Sequence, residues 1–588
     1  MTAAFSRVLP FGATLIGDGR TRFRLWAPAQ HAVAVDVEGL GPMPMTRNEN
    51  SWFSAEADCG AGARYRYRLD DGRLVPDPAA RAQADDLHGP SVVVDPASYR
   101  WRHTDWRGRP WHEAVIYELH AGVLGGFRGV ARELPRLAAL GITAVELMPV
   151  AAFPGRRNWG YDGVLPFAPA AGYGTPDDLK ALVDSAHDHG LMIFLDVVYN
   201  HFGPDGNYLG SYAPQFFRED ISTPWGPAID FRQPEVRRFF TENALYWLME
   251  FRFDGLRLDA VHAISPADWL DEMAAVVRAS VERDRHVHLV LEHDGNAAGH
   301  LSGDFDAQWN DDGHHALHVL LTGEHDGYYA DYADDPAGRL ARVLAEGFAY
   351  QGEPSRHRGG KPRGSSSRHL PPTAFVLCLQ NHDQIGNRAL GERLVTLADP
   401  AALEAAMALL LLCPQIPLLF MGEETASRSP FLFFTHHNEE LAAAVRKGRQ
   451  REFAGFANFL ARHGEALPDP NAVETFERSF PNPDSERGKA REQFYRTLLA
   501  IRRAELMPRL PGTRALDATV LGPAAVIARW RMNDDAILIL AANLSENAVS
   551  VPPPPGRVLF ESAADAAESL QAGNLPPRAA VALLEAAS

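Results

Sequence analysis

Two hydrophobic rhythms run along this chain. Over residues 1–95 apolar and polar positions alternate, at 21–26, at 32–37 and most clearly in Arg64-Tyr65-Arg66-Tyr67-Arg68-Leu69. Period two is the signature of half-buried strands, and Asp71-Gly72 directly afterwards is a hairpin turn. Short strands separated by turns predict an N-terminal β-sandwich. From residue 111 the rhythm changes to short continuous apolar runs, at 115–120, 143–149, 191–198, 253–260, 288–292, 305–309, 375–380 and 417–421. Amphipathic stretches lie between them, such as 134–140 closed by Gly141 and 177–189 closed by Gly190, which predict helices. Strands that are apolar on both faces and spaced by helices are parallel and covered on both sides. Eight of them predict an α/β fold, a (β/α)8 TIM-type barrel over 111–514, reached through a Trp- and Arg-rich connector at 96–110. Residues 515–588 turn β-rich again, at 524–530 and 536–540 about the turn Asn533-Asp534-Asp535, and predict a C-terminal β-sandwich.

Composition narrows what such an assembly can do. A formal charge of -18 makes nucleic acid and anionic membrane poor partners, whereas a neutral substrate such as a sugar suits the surface. The longest apolar run, 405–413, stops at Pro414 and is too short to cross a bilayer, so it reads as a buried helix. No charged start followed by an apolar core is visible at the N-terminus, and no secretory leader is expected. Cys59, Cys378 and Cys413 are far apart and lack metal-ligand spacing. They are expected to be reduced, which suits a cytoplasmic location. No metal and no cofactor is expected, and the oligomeric state is not legible.

Barrels of this type carry their chemistry at the C-terminal ends of the strands. Four predicted ends carry carboxylates: Asp196, ahead of Asn200 and His201; Asp259, after Arg257; Glu292; and Asp383, in Asn381-His382-Asp383. Arg257 and Asp259 lie two apart in a strand and share a face. An arginine there keeps a buried carboxylate ionised and orients it, although an isolated Arg-x-Asp is more often a structural ion pair. The set suits glycoside cleavage, in which one ionised carboxylate attacks and one protonated carboxyl donates to the leaving group. Asp259, beside Arg257, is the better nucleophile. Glu292, at the end of an apolar strand and with a longer arm, is the better proton donor. His201 and His382 can hydrogen-bond sugar hydroxyls, and Asp383 can hold two adjacent hydroxyls or steady developing positive charge.

These motifs, in this order and at these strand positions, resemble the four signature regions of the α-amylase superfamily. The resemblance implies that Asp259 is the nucleophile, Glu292 the general acid/base and Asp383 the transition-state stabiliser. It further implies that His201, Arg257 and His382 bind at the subsite of the cleaved glucose, with Tyr161 of Trp159-Gly160-Tyr161-Asp162 stacking on that ring. Longer segments, among them Glu146-Leu147-Met148-Pro149-Val150, Gln308-Trp309-Asn310-Asp311-Asp312 and Gly323-Glu324-His325-Asp326-Gly327-Tyr328-Tyr329, are similar to the malto-oligosyltrehalose trehalohydrolase family over nearly the whole chain. Members release trehalose from a maltooligosaccharide whose end carries a trehalose unit, so maltooligosyltrehalose is the implied substrate. His262, three residues past Asp259, is then expected on the leaving-group side. Two stretches depart from the family pattern. His293 and Gly295 stand where Asn and a second Asp are expected, and the loop 121–127 is short. A glycogen branching transferase of the same superfamily and a non-catalytic glucan-binding barrel are the alternatives.

Two features stay open at this level. Trp26, Trp52, Tyr65 and Tyr67 are either sugar-stacking platforms or, more often for such residues, core. The Gly- and Ser-rich stretch 355–369 is read as a mobile, solvated linker, with a lid over the cleft as the second reading.

Overall fold

The computed structural model describes residues 5–17, 19–223, 226–454 and 466–587. Met1 to Ala4, on which the reading of an absent leader partly rests, lie outside the described residues, as do residues 224–225 of the segment after the third barrel strand.

Eight parallel strands close a barrel in sequence order: β1 (Ile116–Leu119), β2 (Ala144–Leu147), β3 (Met192–Val197), β4 (Gly255–Leu258), β5 (His288–Leu291), β6 (Ala307–Trp309), β7 (Phe375–Cys378) and β8 (Ile416–Phe420). Every one falls inside, or within a residue of, a continuous apolar run of the sequence, and every residue of all eight is buried. Register and the period of two then sort the side chains. Asp196 lies beside Arg257 across β3 and β4, and Glu118 lies beside Glu146 across β1 and β2. Inside the barrel Ile116, Ala144, Met192, Phe194, Val290, Ala307 and Leu418 form an apolar plug of their own. Two residues after Arg257, on the same face, comes Asp259, and two after Val290 comes Glu292, so the inward face turns polar at the C-terminal ends. Gly255 is required within this plug: a Cβ there would lie 2.7 Å from the Phe194 ring and 2.8 Å from the His288 carbonyl.

The N-terminal strands form two antiparallel sheets, one of Gly12–Gly17, Arg20–Trp26, Trp52–Ala57 and Thr46–Arg47 and one built on Ala34–Val37 and Arg64–Arg68. Trp52, Tyr65 and Tyr67 are buried between or beneath them, and Trp26 packs on Phe216 of the segment after β3. The core reading of these aromatics therefore holds. At the other end a five-stranded antiparallel sheet includes Ala525–Arg531 and Ile537–Asn543. It rests on the barrel helices, with the Trp530 indole donating to the Leu344 carbonyl at 3.1 Å. The apolar run at 405–413 is the core of helix Pro400–Leu412, buried throughout from Ala405. Among the described residues no helix is long and apolar enough to cross a membrane. Cys378 and Cys413 are buried thiols and Cys59 is half-buried, none in a disulfide.

The stretch 355–369 corrects the expectation of a solvated linker. Its backbone doubles back on itself: Gly352 N–H donates to the Arg363 carbonyl at 2.7 Å and Arg363 N–H to the Glu353 carbonyl at 3.0 Å. Ser355, Arg363 and Ser367 are buried, each held by side-chain hydrogen bonds. Gly and Ser permitted a tight strap here, and buried polar groups tied it down.

Candidate active site

Arg257 is the centre of the polar layer. Its guanidinium is fully buried, lies 4.1 Å from the Trp309 ring centroid and is divided among three carboxylates. Nη1 donates to Asp196 Oδ2 at 2.6 Å and to Asp259 Oδ1 at 2.9 Å, and Nη2 donates to Glu292 Oε2 at 2.7 Å. Burial opposes its charge, but Asp196 and Glu292 outweigh burial and hold its pKa well above the usual arginine value.

Burial lifts Asp259 above the ordinary carboxylate range; Arg257 pulls it back and Asp196 adds to the rise. Arg257 does pull Asp259 down, as expected, but it is shared with the carboxyl groups of Asp196 and Glu292. Burial and then the charge of Asp259 raise Glu292 as well, against Arg257. Hydrogen bonding decides where a proton can sit between them. Both oxygens of Asp259 are engaged by N–H donors, Oδ1 by Arg257 and Oδ2 by the Asn200 amide at 2.7 Å. Glu292 receives both of its donors, Arg257 and the Ala260 N–H at 2.7 Å, on Oε2. None of these donors falls on Oε1, so Glu292 keeps an oxygen able to carry a proton, whereas both oxygens of Asp259 are taken. Ala260 provides that N–H by adopting a left-handed conformation, φ 40°, directly after Asp259. Such strain in a residue with a Cβ persists only where the surroundings impose it.

Asp383 follows at the first turn of the short helix His382–Gly386, one-third exposed, with Oδ1 accepting from Asn387 at 3.1 Å. His382 is buried between Glu118, whose Oε1 lies 2.5 Å from Nδ1, and the Tyr161 hydroxyl, 2.8 Å from Nε2. Burial works against its charge, yet Asp383 and Glu118 push its pKa to about 9. Tyr161 stacks on this imidazole with ring centroids 5.2 Å apart and donates to Asp196 at 2.6 Å.

Two predicted residues stand further out. His201 is buried, with Nδ1 2.5 Å from the Asn200 side-chain oxygen and Nε2 2.9 Å from the Tyr161 carbonyl. It braces the wall behind Tyr161, and reaching a sugar would cost it one of these contacts. His262 is exposed at the rim, its ring 6.0 Å from that of His293 and its Nδ1 3.5 Å from the Asp294 amide nitrogen.

Sequence reasoning missed Glu118, Glu146 and Asp311 as members of this layer. Each had a signal, a carboxylate inside or at the end of an apolar strand run. Glu146 is buried with neither oxygen hydrogen-bonded among the described residues, and burial raises its pKa well above the usual range. Asp311 opens the helix Asp311–Thr322 two residues after the end of β6. Although it keeps some solvent contact, burial and then the charge of Glu292 push it up to about 8. No cluster of three or more His, Cys, Asp or Glu side chains among the described residues is disposed to hold a metal ion. The Asn200 amide oxygen faces His201.

Comparison with known proteins identifies the family. Residues 96–219 match the family model described as alpha amylase, catalytic domain, and residues 513–582 match a domain of unknown function, DUF3459. A malto-oligosyltrehalose trehalohydrolase of Deinococcus radiodurans is 44% identical over 84% of this chain and 83% of its own length. Another, from Saccharolobus solfataricus, is 42% identical over 76% of this chain and 80% of its own. A crystal structure from Salmonella typhimurium, provisionally named as an alpha amylase, is 45% identical and superposes with a TM-score of 0.92, covering 98% of this chain and all of that one. The chain belongs to the malto-oligosyltrehalose trehalohydrolase family of the α-amylase superfamily.

Proposed function

We propose that the chain hydrolyses the α-1,4-glucosidic bond next to the terminal trehalose unit of maltooligosyltrehalose by a retaining mechanism. The observation that carries the mechanism is the shared guanidinium. Asp259 and Glu292 sit on its two neighbouring nitrogens, which favours the retaining separation of about 5–5.5 Å over the wider inverting gap of about 6.5–9.5 Å. Glu292 Oε1 protonates the glycosidic oxygen as Asp259 attacks the anomeric carbon, and trehalose leaves. Glu292, now a carboxylate, takes a proton from water, which attacks the glycosyl ester and frees the maltooligosaccharide. Asp383 and the cationic His382 bind hydroxyls of the reacting ring, and Tyr161 stacks on it. Arg257 holds the carboxylate pair and His201 supports the wall. The division into an N-terminal sandwich at 1–95, a connector, a catalytic barrel at 111–514 and a C-terminal sheet domain at 515–588 belongs to the same reading.

Specificity is assigned to the leaving-group side, where His262 stands. A 1,1 linkage turns the second glucose away from the path of an α-1,4 chain. Polar groups placed for that turn go unpaired against a linear chain. Paired substrates of equal length, with and without the trehalose end, should therefore be cleaved at very different rates, with trehalose the released disaccharide. His262→Ala should reduce that preference more than basal hydrolysis, by about 1–3 kcal/mol if one buried hydrogen bond is lost. Equal rates on both substrates would leave a generic α-1,4-glucan hydrolase. Branch formation on amylose, followed by iodine staining, would instead point to the transferase.

Activity should also survive prolonged EDTA treatment, because the chemistry uses carboxylates only and the Asn200 oxygen already faces a protein group. Loss of activity with recovery on added calcium would overturn that expectation.

A further inference from the structure

The segment 293–296 follows directly on Glu292 and contains Gly295, a residue that by itself gives the backbone freedom. Its position is imposed from outside by the strap at 352–368. The tip of the strap is a tight turn with Gly359 and Gly360 both left-handed, and it brings Arg358 against the segment. Arg358 Nη2 donates to the Asp294 carbonyl at 2.9 Å and also pairs with the Asp294 carboxylate. Arg363 Nε donates to the same carbonyl, again at 2.9 Å. Two guanidinium donors on one main-chain oxygen are charge-assisted bonds, stronger than neutral ones.

Arg363 is itself immobilised. Its Nη1 donates to Asp312 at 2.6 Å and lies 2.7 Å from the Tyr332 hydroxyl. Asp312 in turn accepts the Ala349 and Tyr350 N–H groups at 2.7 and 2.9 Å and the Asn296 amide at 2.8 Å. Further along, Ser365 Oγ accepts the Ala298 N–H at 3.0 Å. The strap thus fixes Asp294, Asn296 and Ala298 from behind. Ahead of them, His262 faces the Asp294 amide and the His293 ring.

We propose that Arg358 and Arg363 are positioning residues that set the leaving-group wall of the site by clamping the main-chain carbonyl of Asp294. They touch no substrate. They act through the 293–296 segment and through His262, whose place at the rim depends on where that segment lies. The proposal rests on the trehalohydrolase reading above and names what holds its specificity in place.

Arg358→Ala is the test, since Arg358 is partly exposed and its loss leaves the buried Arg363–Asp312 pair intact. Three substrates are compared: a trehalose-capped maltooligosaccharide, the plain chain of equal length, and an α-maltooligosyl fluoride, whose single-atom leaving group meets no wall. The capped-over-plain ratio of kcat/KM should fall about tenfold, mainly through KM on the capped substrate, with the fluoride rate within about twofold of wild type. Asp294→Ala, which removes the ion pair but keeps the clamped carbonyl, should retain most of the preference. An unchanged ratio in Arg358→Ala overturns the proposal, and so does an equal loss on the fluoride, which would place the effect on the catalytic carboxylates. A loss in Asp294→Ala as large as in Arg358→Ala would move the role to the carboxylate and overturn the carbonyl clamp. A wild-type enzyme that shows no preference overturns the functional reading itself, and this proposal with it.

Discussion

Asp259→Asn is expected to abolish turnover, by roughly 10⁴-fold or more, without disturbing the fold. The reason lies in how Arg257 distributes its hydrogen bonds. A nucleophile's carboxylate cannot be replaced by an amide, because the covalent glycosyl ester then has no oxygen anion to form it. Removing that charge nevertheless leaves the buried guanidinium paired with Asp196 and Glu292. The usual large penalty for stranding a buried charge therefore does not arise. Circular dichroism and the thermal midpoint should stay close to wild type while product release stops. Substantial residual turnover in a correctly folded variant would reject Asp259 as the nucleophile.

Glu292→Gln should lose about 10²–10⁴-fold on the natural substrate, the usual contribution of a positioned general acid. Part of that loss should be recovered on a glycosyl fluoride, whose leaving group departs without a proton. The recovery cannot be complete, because the same residue serves as base in the second step. pH provides a second readout. The acid must be protonated to act, and burial with the Asp259 charge raises its pKa. The alkaline limb of the wild-type profile on the natural substrate should accordingly lie above the ordinary glutamate range. Activity falls as pH rises through that pKa, and the limb should vanish from the fluoride reaction of Glu292→Gln. If the fluoride rescued Asp259→Asn instead, the two roles would have to be exchanged.

Much of this molecule can be read from local rules. Continuous apolar runs marked all eight barrel strands because a parallel strand covered on both faces leaves no room for alternation. Period two then placed Arg257 and Asp259 on one face, and the C-terminal strand ends of a parallel barrel gathered Glu292 and Asp383 beside them. Asp196 and Asn200 stood in the motif beside them. Local pattern could not say how these groups share charge. Arg257 looked like the partner of Asp259, two residues away. Only the pairing of β4 with β3 on one side and β5 on the other brings Asp196 and Glu292 onto the same guanidinium, so the charge state of Asp259 is a property of the sheet. Glu118 was passed over for the same reason. A single acid inside Ile116–Leu119 has no local meaning until β7 delivers His382 to within 2.5 Å.

The strap at 355–369 shows the opposite failure. Glycine and serine report what the backbone is able to do, and a flexible sequence reads as a linker. What fixes this one is long-range: Ser355 finds Asp331, Arg363 finds Asp312 and Ser367 finds the Glu346 carbonyl. Sequence alone determined the elements, the face each polar residue takes and the chemical class of the reaction, because these follow from backbone geometry over a few residues. Tertiary structure decided how three carboxylates share one guanidinium and what packs against the segment after Glu292. Those depend on burial and on donors supplied by strands and loops distant in sequence, and no local pattern encodes them.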